Sequence, residues 1–201
     1  CFKLKSVALT GNALFTIQTN EYLRDFLTGR IALNEMGTLL IISGAFGAFK
    51  KVVPQYLHTV VFGSEVFPIK QFRIWKSVLP EASFTNLYGP TEGTGMCCFY
   101  HVNRDFELDE FIPIGRPFKN TEILLLNEQN QRAEGDEVGE ICIRGTSVTL
   151  GYYNDFKRTS EVFVQNPLNT SYPEIIYRTG DLGKYNEYGE LVFVSRKDYQ
   201  I

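Results

Sequence analysis

Histidine and cysteine are scarce in this chain of 201 residues, which carries two of the first and four of the second. His58 and His101 have no partner at ligand spacing and are expected to be structural. Cys1, Cys97, Cys98 and Cys142 show no metal-ligand spacing either. Adjacent Cys97 and Cys98 would alternate faces in an extended segment, so one of them is expected to pack inward as a small apolar residue. No Ser/His/Asp or Cys/His nucleophilic set is visible, and no Walker loop. Lys/Arg runs are missing as well: Lys50-Lys51 is an isolated pair, and a net charge of -3 argues against a dedicated nucleic-acid binder. Long hydrophobic runs are lacking; Leu39 to Phe49 is apolar but too short to span a bilayer, so no membrane segment is expected. With no signal peptide at the start, the expected compartment is a reducing cytoplasm. The chain opens on Cys1 rather than Met, and is therefore expected to be a fragment.

What is present is ordinary globular composition, 44% apolar and 21% charged, in a chain long enough to bury a core. Glu21 to Leu27 has helical spacing, with Asn20 as its cap, and Thr38 to Ser43 reads as a short buried strand. Thr59-Val60-Val61-Phe62 is β-branched and apolar and stops at Gly63, the pattern of an interior strand. Pro68 to Leu79 places Ile69, Phe72, Ile74, Trp75, Val78 and Leu79 among Lys and Arg, an amphipathic helix with Pro68 in its first turn and Pro80 beyond its end. Ser83 to Tyr88 is the next strand. Strand, helix, strand predicts a βαβ crossover, whose ligands sit beyond the carboxyl ends of the strands, where Gly63-Ser64-Glu65 and Tyr88 to Glu92 both fall.

After Pro113 the pattern changes to short strands: Glu122 to Leu126, Gly139 to Arg144 and Glu190 to Val194. Asn186-Glu187-Tyr188-Gly189 reads as a hairpin turn, and Asp155 to Val164 as one helix capped by Asp155. The predicted class is α/β: a βαβ sheet portion (1–110, with 1–47 unassigned), then a small, mostly antiparallel β-barrel-like subdomain (111–194), then residues 195–201.

Two separated stretches carry chemistry. Asn86-Leu87-Tyr88-Gly89-Pro90-Thr91-Glu92 sets an aromatic face, a tight turn, a hydroxyl and a carboxylate close together. An aromatic plate can stack on a base, while a hydroxyl and a carboxylate can serve a phosphate and its magnesium. Tyr177-Arg178-Thr179-Gly180-Asp181 puts a carboxylate on a glycine turn, suited to a ribose diol or, equally, to stabilising its own turn. Gly63 would permit close backbone approach to a ligand. Ile114-Gly115-Arg116-Pro117 and Gly139 to Gly145 read most simply as structural.

Together NLYGPTE (86–92), IPIGRP (112–117), GEICIRGTSVTLGYYN (139–154), YRTGDLG (177–183) and SRKDYQI (195–201) resemble the adenylate-forming superfamily, in particular amino-acid adenylation domains of peptide synthetases and D-alanine–carrier-protein ligases. FGSEVFP (62–68) resembles the family's GGE-plus-proline segment, with Ser64 in place of the second glycine. The resemblance covers residues 48 to 201 and implies a reaction of a carboxylate with MgATP that yields an acyl-adenylate and pyrophosphate. The acyl group then passes to the thiol of a phosphopantetheinyl carrier protein. It implies that Tyr88 stacks on adenine beside the Gly63-Ser64-Glu65 backbone and Gly89, that Thr91 contacts phosphate and that Glu92 holds Mg2+. Asp181 would hold the ribose hydroxyls, Arg196 would approach ribose or phosphate, and Asp198 would be the hinge to a C-terminal domain. Phe62, Leu87, Gly95 and Met96 would lie along the acyl pocket.

The chain departs from the family in three ways. No segment matches its phosphate loop, residues 1–47 do not match, and the sequence stops at Ile201 before the domain that carries the adenylation lysine. The resulting expectation is a partial site with little or no turnover alone. The alternatives are an acyl- or aryl-CoA ligase fragment and a non-catalytic nucleotide-binding module.

Overall fold

The computed structural model describes residues 6–9, 38–43, 57–63 and 65–197. The expected helix at Glu21 to Leu27 lies outside them. The chain divides into two compact units, Cys1–Leu87 with His101–Ile112, and Tyr88–Tyr100 with Pro113–Ile201.

In the first unit β1 (Ser6–Leu9), β2 (Thr38–Ser43), β3 (Leu57–Gly63) and β4 (Ser83–Tyr88) lie side by side in that order, each pair parallel. The β-branched run 59–61 therefore sits in a strand flanked on both edges. Helix α1 (Ile69–Val78) joins β3 to β4, the βαβ unit the sequence predicts. Pro68 stands one position earlier than expected: it is the N-cap, and its carbonyl accepts from the amides of Gln71 and Phe72, both at 3.0 Å. Leu79 leaves the helical region at φ -125°, and Pro80 beyond it has no N–H to continue the ladder.

The helix buries Ile69, Phe72 and Trp75, three and six residues apart on one stripe. Ile74 was expected on that stripe, but it is exposed, because it lies roughly 200° around the helix from Phe72. Phe72 is the hub of an aromatic cluster, edge-on to Phe67 at 5.6 Å and to Phe84 at 5.3 Å. Phe62 joins it, 4.8 Å from Phe67. Lys76 pairs with Asp105 at 2.7 Å across the solvent face, and His101 meets the Thr85 hydroxyl at 2.8 Å through Nδ1.

The second unit contains β5 (Cys98–His101) as far as Tyr100, paired antiparallel to β6 (Arg116–Pro117). Its main sheet runs β11 (Leu191–Arg196), β10 (Ile175–Tyr185), β8 (Gly139–Gly145), β7 (Thr121–Leu126), with β9 (Phe163–Gln165) also on β10, and every pairing is antiparallel. Side chains of β7 alternate between two clusters, as a two-residue period requires. Ile123 and Leu125 join Ile141, Ile143, Phe163, Tyr177 and Leu191, while Leu124 and Leu126 join Cys142 and Ile176. The sheet is therefore buried on both faces.

Cys97 and Cys98 correct the expectation of one inward cysteine: both are buried in the first of these clusters, with sulfurs 4.0 Å apart. Cys97 precedes β5, its amide bound to the Tyr88 carbonyl at 2.8 Å, so strand alternation does not govern the pair. Helix α2 (Phe156–Val162) is capped by the Asp155 carboxylate, which accepts from the Arg158 amide at 3.0 Å, and it stops short of the expected Val164 because β9 begins at Phe163. The Asn186–Gly189 hairpin turn is formed as expected, the Asn186 side chain accepting from the amides of Tyr188 and Glu190.

Candidate nucleotide site

Tyr88 is the last residue of β4 and opens the second unit. Gly89 follows because nothing larger fits: a Cβ there would stand 2.0 Å from the Gly95 carbonyl oxygen and 2.5 Å from the Cys97 amide nitrogen. The chain then makes one 3-10 turn, Thr91–Gly93, and leaves it through Thr94 in the left-handed region at φ 59°. Three contacts pin this turn to the segment after β8. The Glu92 carbonyl accepts from the Thr149 amide at 2.9 Å, the Thr94 hydroxyl donates to the Ser147 carbonyl at 2.6 Å, and the Tyr152 hydroxyl donates to the Glu92 carboxylate. From below, Ile143 packs on Gly93, where a Cβ would lie 3.4 Å from its Cδ1. Core packing thus fixes the height of the turn that carries Glu92.

The carboxyl group of Asp181 arrives by a different route. The sequence predicts a glycine turn at Gly180, yet Thr179, Gly180 and Asp181 lie within β10. Between the pairs Arg178–Cys142 and Leu182–Glu140 they stand opposite Ile141 alone. The feature is a β-bulge, with Gly180 at φ 74°, and it leaves Asp181 without a register partner on β8 while its pairing with β11 is kept. Its backbone is satisfied by side chains: the Thr179 hydroxyl donates to the Ile141 carbonyl at 2.7 Å and accepts from the Asp181 amide at 2.9 Å.

Tyr88 and Asp181 meet here. The phenol donates to Oδ2 at 2.6 Å, and Arg196, the cross-strand partner of Asp181 on β11, donates to Oδ1 at 2.7 Å. Burial pushes the Tyr88 phenol far above its usual range, helped by the Asp181 charge and hydrogen bond, so it remains a neutral donor. Glu92 titrates below its ordinary value: burial pulls the other way, but the Tyr152 hydrogen bond and neighbouring donors outweigh it. Arg158 lies over the Tyr152 ring, 4.2 Å from its centre, and the Thr159 hydroxyl accepts from the Tyr152 amide at 2.9 Å.

The other candidates are distributed as follows. Thr91 is exposed on the turn; Gly95 has φ 90° with open space around its Cα; Met96 is exposed. In the first unit Leu87 is half-buried and Gly63 abuts it, a Cβ there falling 2.4 Å from the Leu87 carbonyl oxygen. Glu65 is exposed, and Phe62 is buried in the aromatic cluster. Ser64 and Asp198 lie outside the described residues. Tyr152 was not singled out from the sequence; it stood within the GYYN stretch, where nothing local announces its long-range partner.

The acceptors suit an adenosine and a phosphate-bound cation. A carboxylate accepts on both oxygens, and Asp181 accepts from Tyr88 on one and from Arg196 on the other. Among the described residues no group of three or more His, Cys, Asp or Glu gathers to hold a metal. A single carboxylate such as Glu92 suits magnesium that takes its remaining ligands from phosphate and water.

Comparison with known proteins identifies the family. Residues 28–153 match the family model of AMP-binding enzymes, which corrects the expectation that residues 1–47 do not match. The whole chain aligns with tyrocidine synthase 3 of Brevibacillus parabrevis at 32% identity, spanning 3% of that protein's length. Among solved structures, holo-PA1221, a nonribosomal peptide synthetase protein containing adenylation and PCP domains, superimposes with a TM-score of 0.71 at 31% identity, over 98% of this chain and 29% of that one. The N-terminal subdomain of Klebsiella oxytoca NpsA, in complex with 3-hydroxybenzoyl-AMSN, gives 0.69 at 27% identity, over 86% and 43% of the two chains. The chain therefore belongs to the AMP-binding enzymes of the adenylate-forming superfamily, in the branch that resembles peptide-synthetase adenylation domains.

Proposed function

We propose that this chain supplies the adenosine- and magnesium-binding portion of an ATP-dependent amino-acid adenylating ligase, which makes an aminoacyl-AMP and pyrophosphate and then loads a carrier-protein thiol. The observation that carries the reading is the contact of Tyr88 with Asp181, with Arg196 on the second carboxylate oxygen. The Tyr88 ring takes the adenine face, and Gly63, Ser64, Glu65 and Gly89 are the further nucleotide-binding residues of this reading. Asp181 accepts the ribose diol, and Arg196 holds that carboxylate and approaches the ribose or phosphate. Thr91 donates to phosphate. Magnesium, when bound, neutralises charge on the departing phosphates, and Glu92 offers it one ionised carboxylate.

On this reading Phe62, Leu87, Gly95 and Met96 border the acyl group, Asp198 is the pivot for the second half-reaction, and the enzyme works in the cytoplasm without membrane or nucleic acid. Among the described residues no helix is long and apolar enough to cross a membrane. Similarity to adenylation–PCP proteins supports a carrier protein as acceptor. Among the described candidate residues only Arg196 brings positive charge, and one guanidinium does not neutralise a departing pyrophosphate, so we infer little turnover by the chain alone.

Calorimetric titration with AMP tests the nucleotide site. Asp181→Ala and Tyr88→Ala are each expected to weaken binding by about tenfold or more, the loss of hydrogen bonding at a charged acceptor and of aromatic contact. Unchanged affinity in both variants refutes the assignment. Pyrophosphate exchange stimulated by amino acids and not by fatty acids supports the amino-acid branch; the reverse favours an acyl-CoA ligase.

A further inference from the structure

Glu140 is a nearly buried carboxylate on β8, 5% exposed, in a stretch whose pattern reads as structural. Both its oxygens point at the β10 bulge. Oε1 accepts from the Gly180 amide at 3.2 Å, while Oε2 accepts from Nε and Nη2 of Arg178 at 2.9 and 2.6 Å and lies 3.6 Å from Lys197 Nζ. Arg178 is held in turn by the Asn130 side chain at 2.8 Å. The Lys197 amide donates to the Gly180 carbonyl at 2.7 Å, so both polar groups of the Gly180 backbone are bound. In a regular ladder β8 backbone would serve this segment. Here three residues face one, and a side chain stands in for the missing backbone acceptor.

We propose that Glu140 is a positioning residue for nucleotide recognition: by holding the Gly180 amide and the Arg178 guanidinium that flank Asp181, it fixes the bulge that presents Asp181 to a ribose diol. The inference rests on the reading of Asp181 given above. It concerns a side chain that does not itself touch nucleotide. A buried charged acceptor is suited to the task, since each of its contacts is charge-assisted and directional.

The test compares AMP with 2′,3′-dideoxy-AMP by calorimetry on the full chain, for wild type, Glu140→Gln and Asp181→Asn, with thermal melts to verify folding. Gln keeps an oxygen for the Gly180 amide but forfeits the ion pair with Arg178, so it is the variant expected to fold. Wild type is expected to prefer AMP by about tenfold or more, the size of hydrogen bonds to a charged acceptor. In Glu140→Gln the preference falls toward that of Asp181→Asn, while affinity for the dideoxy analogue, which makes no diol contact, stays at the wild-type value. A Glu140→Gln variant that keeps the wild-type preference overturns the inference and leaves the site reading standing. Equal loss of affinity for both ligands also overturns it, because that marks general destabilisation. No preference in wild type overturns the site reading itself, and the inference with it.

Discussion

The phenol of Tyr88 donates to the carboxylate of Asp181 at 2.6 Å, although 93 residues of chain separate them. One residue ends a strand of the parallel sheet and the other rides a bulge in an antiparallel strand. Their contact brings together the two stretches that carry the candidate chemistry. It also makes each dependent on the other: Asp181 is 7% exposed, and a buried carboxylate stripped of a donor is costly.

Tyr88→Phe is therefore expected to destabilise the protein by about 1–3 kcal/mol, the range for leaving a buried acceptor short of a partner. Urea denaturation measures this. A double-mutant cycle with Asp181→Asn should show coupling, and strictly additive effects would mean that the two side chains do not interact in solution.

The Glu92 carboxylate has a pH signature. Its folded value lies below the ordinary 4.5, so its contribution to stability is complete above that pH and is lost as pH falls through the depressed folded value. The gap in melting temperature between wild type and Glu92→Gln should hold steady from pH 7 to about 5 and close on further acidification. A gap that widens in acid would have the wrong sign.

The buried thiols should be inert in the native state. Burial, first among the causes, pushes Cys142 up to about 12. Cys98 is raised by its hydrogen bond with Cys97 and then by burial. Brief iodoacetamide treatment at pH 8 followed by peptide mapping should leave Cys97, Cys98 and Cys142 unmodified, and denaturant should expose all three. Labelling of Cys142 without denaturant would show that its strand opens readily.

Gly115 and Gly135 separate two costs of replacing glycine. Both have positive φ, 77° and 58°, but a Cβ at Gly115 would fall 2.1 Å from the Phe99 carbonyl oxygen, whereas Gly135 has nothing within 4 Å. Gly135→Ala should cost about 1–2 kcal/mol from backbone conformation alone. Gly115→Ala should cost about 2–4 kcal/mol, since backbone must also move. Equal shifts in urea midpoint would show that β5 yields without penalty.

Local pattern was enough where a residue's partners are its sequence neighbours. The strand Ser83–Tyr88, the strand Thr38–Ser43 and the Asp155 cap stand where the sequence places them, because periodicity, β-branching and capping act over a few residues. It misplaced Ile74 by counting apolar residues rather than angles. It missed β5, β6 and β9, which are four, two and three residues long and too short to show a period. Gly180 illustrates the limit best: a glycine after Thr signals a turn or a bulge equally, and only pairing with β8 decides between them.

The sequence by itself determined the family and the class of fold, since motif chemistry, turn residues and hydrophobic alternation are written locally. The tertiary structure alone decided that Tyr152 grips Glu92, that Glu140 secures the backbone before Asp181, and that both cysteines of the adjacent pair are buried. Those relationships join residues 60, 40 and more positions apart. Their energies come from desolvation and from directional bonds that exist only once the strands have been set in register.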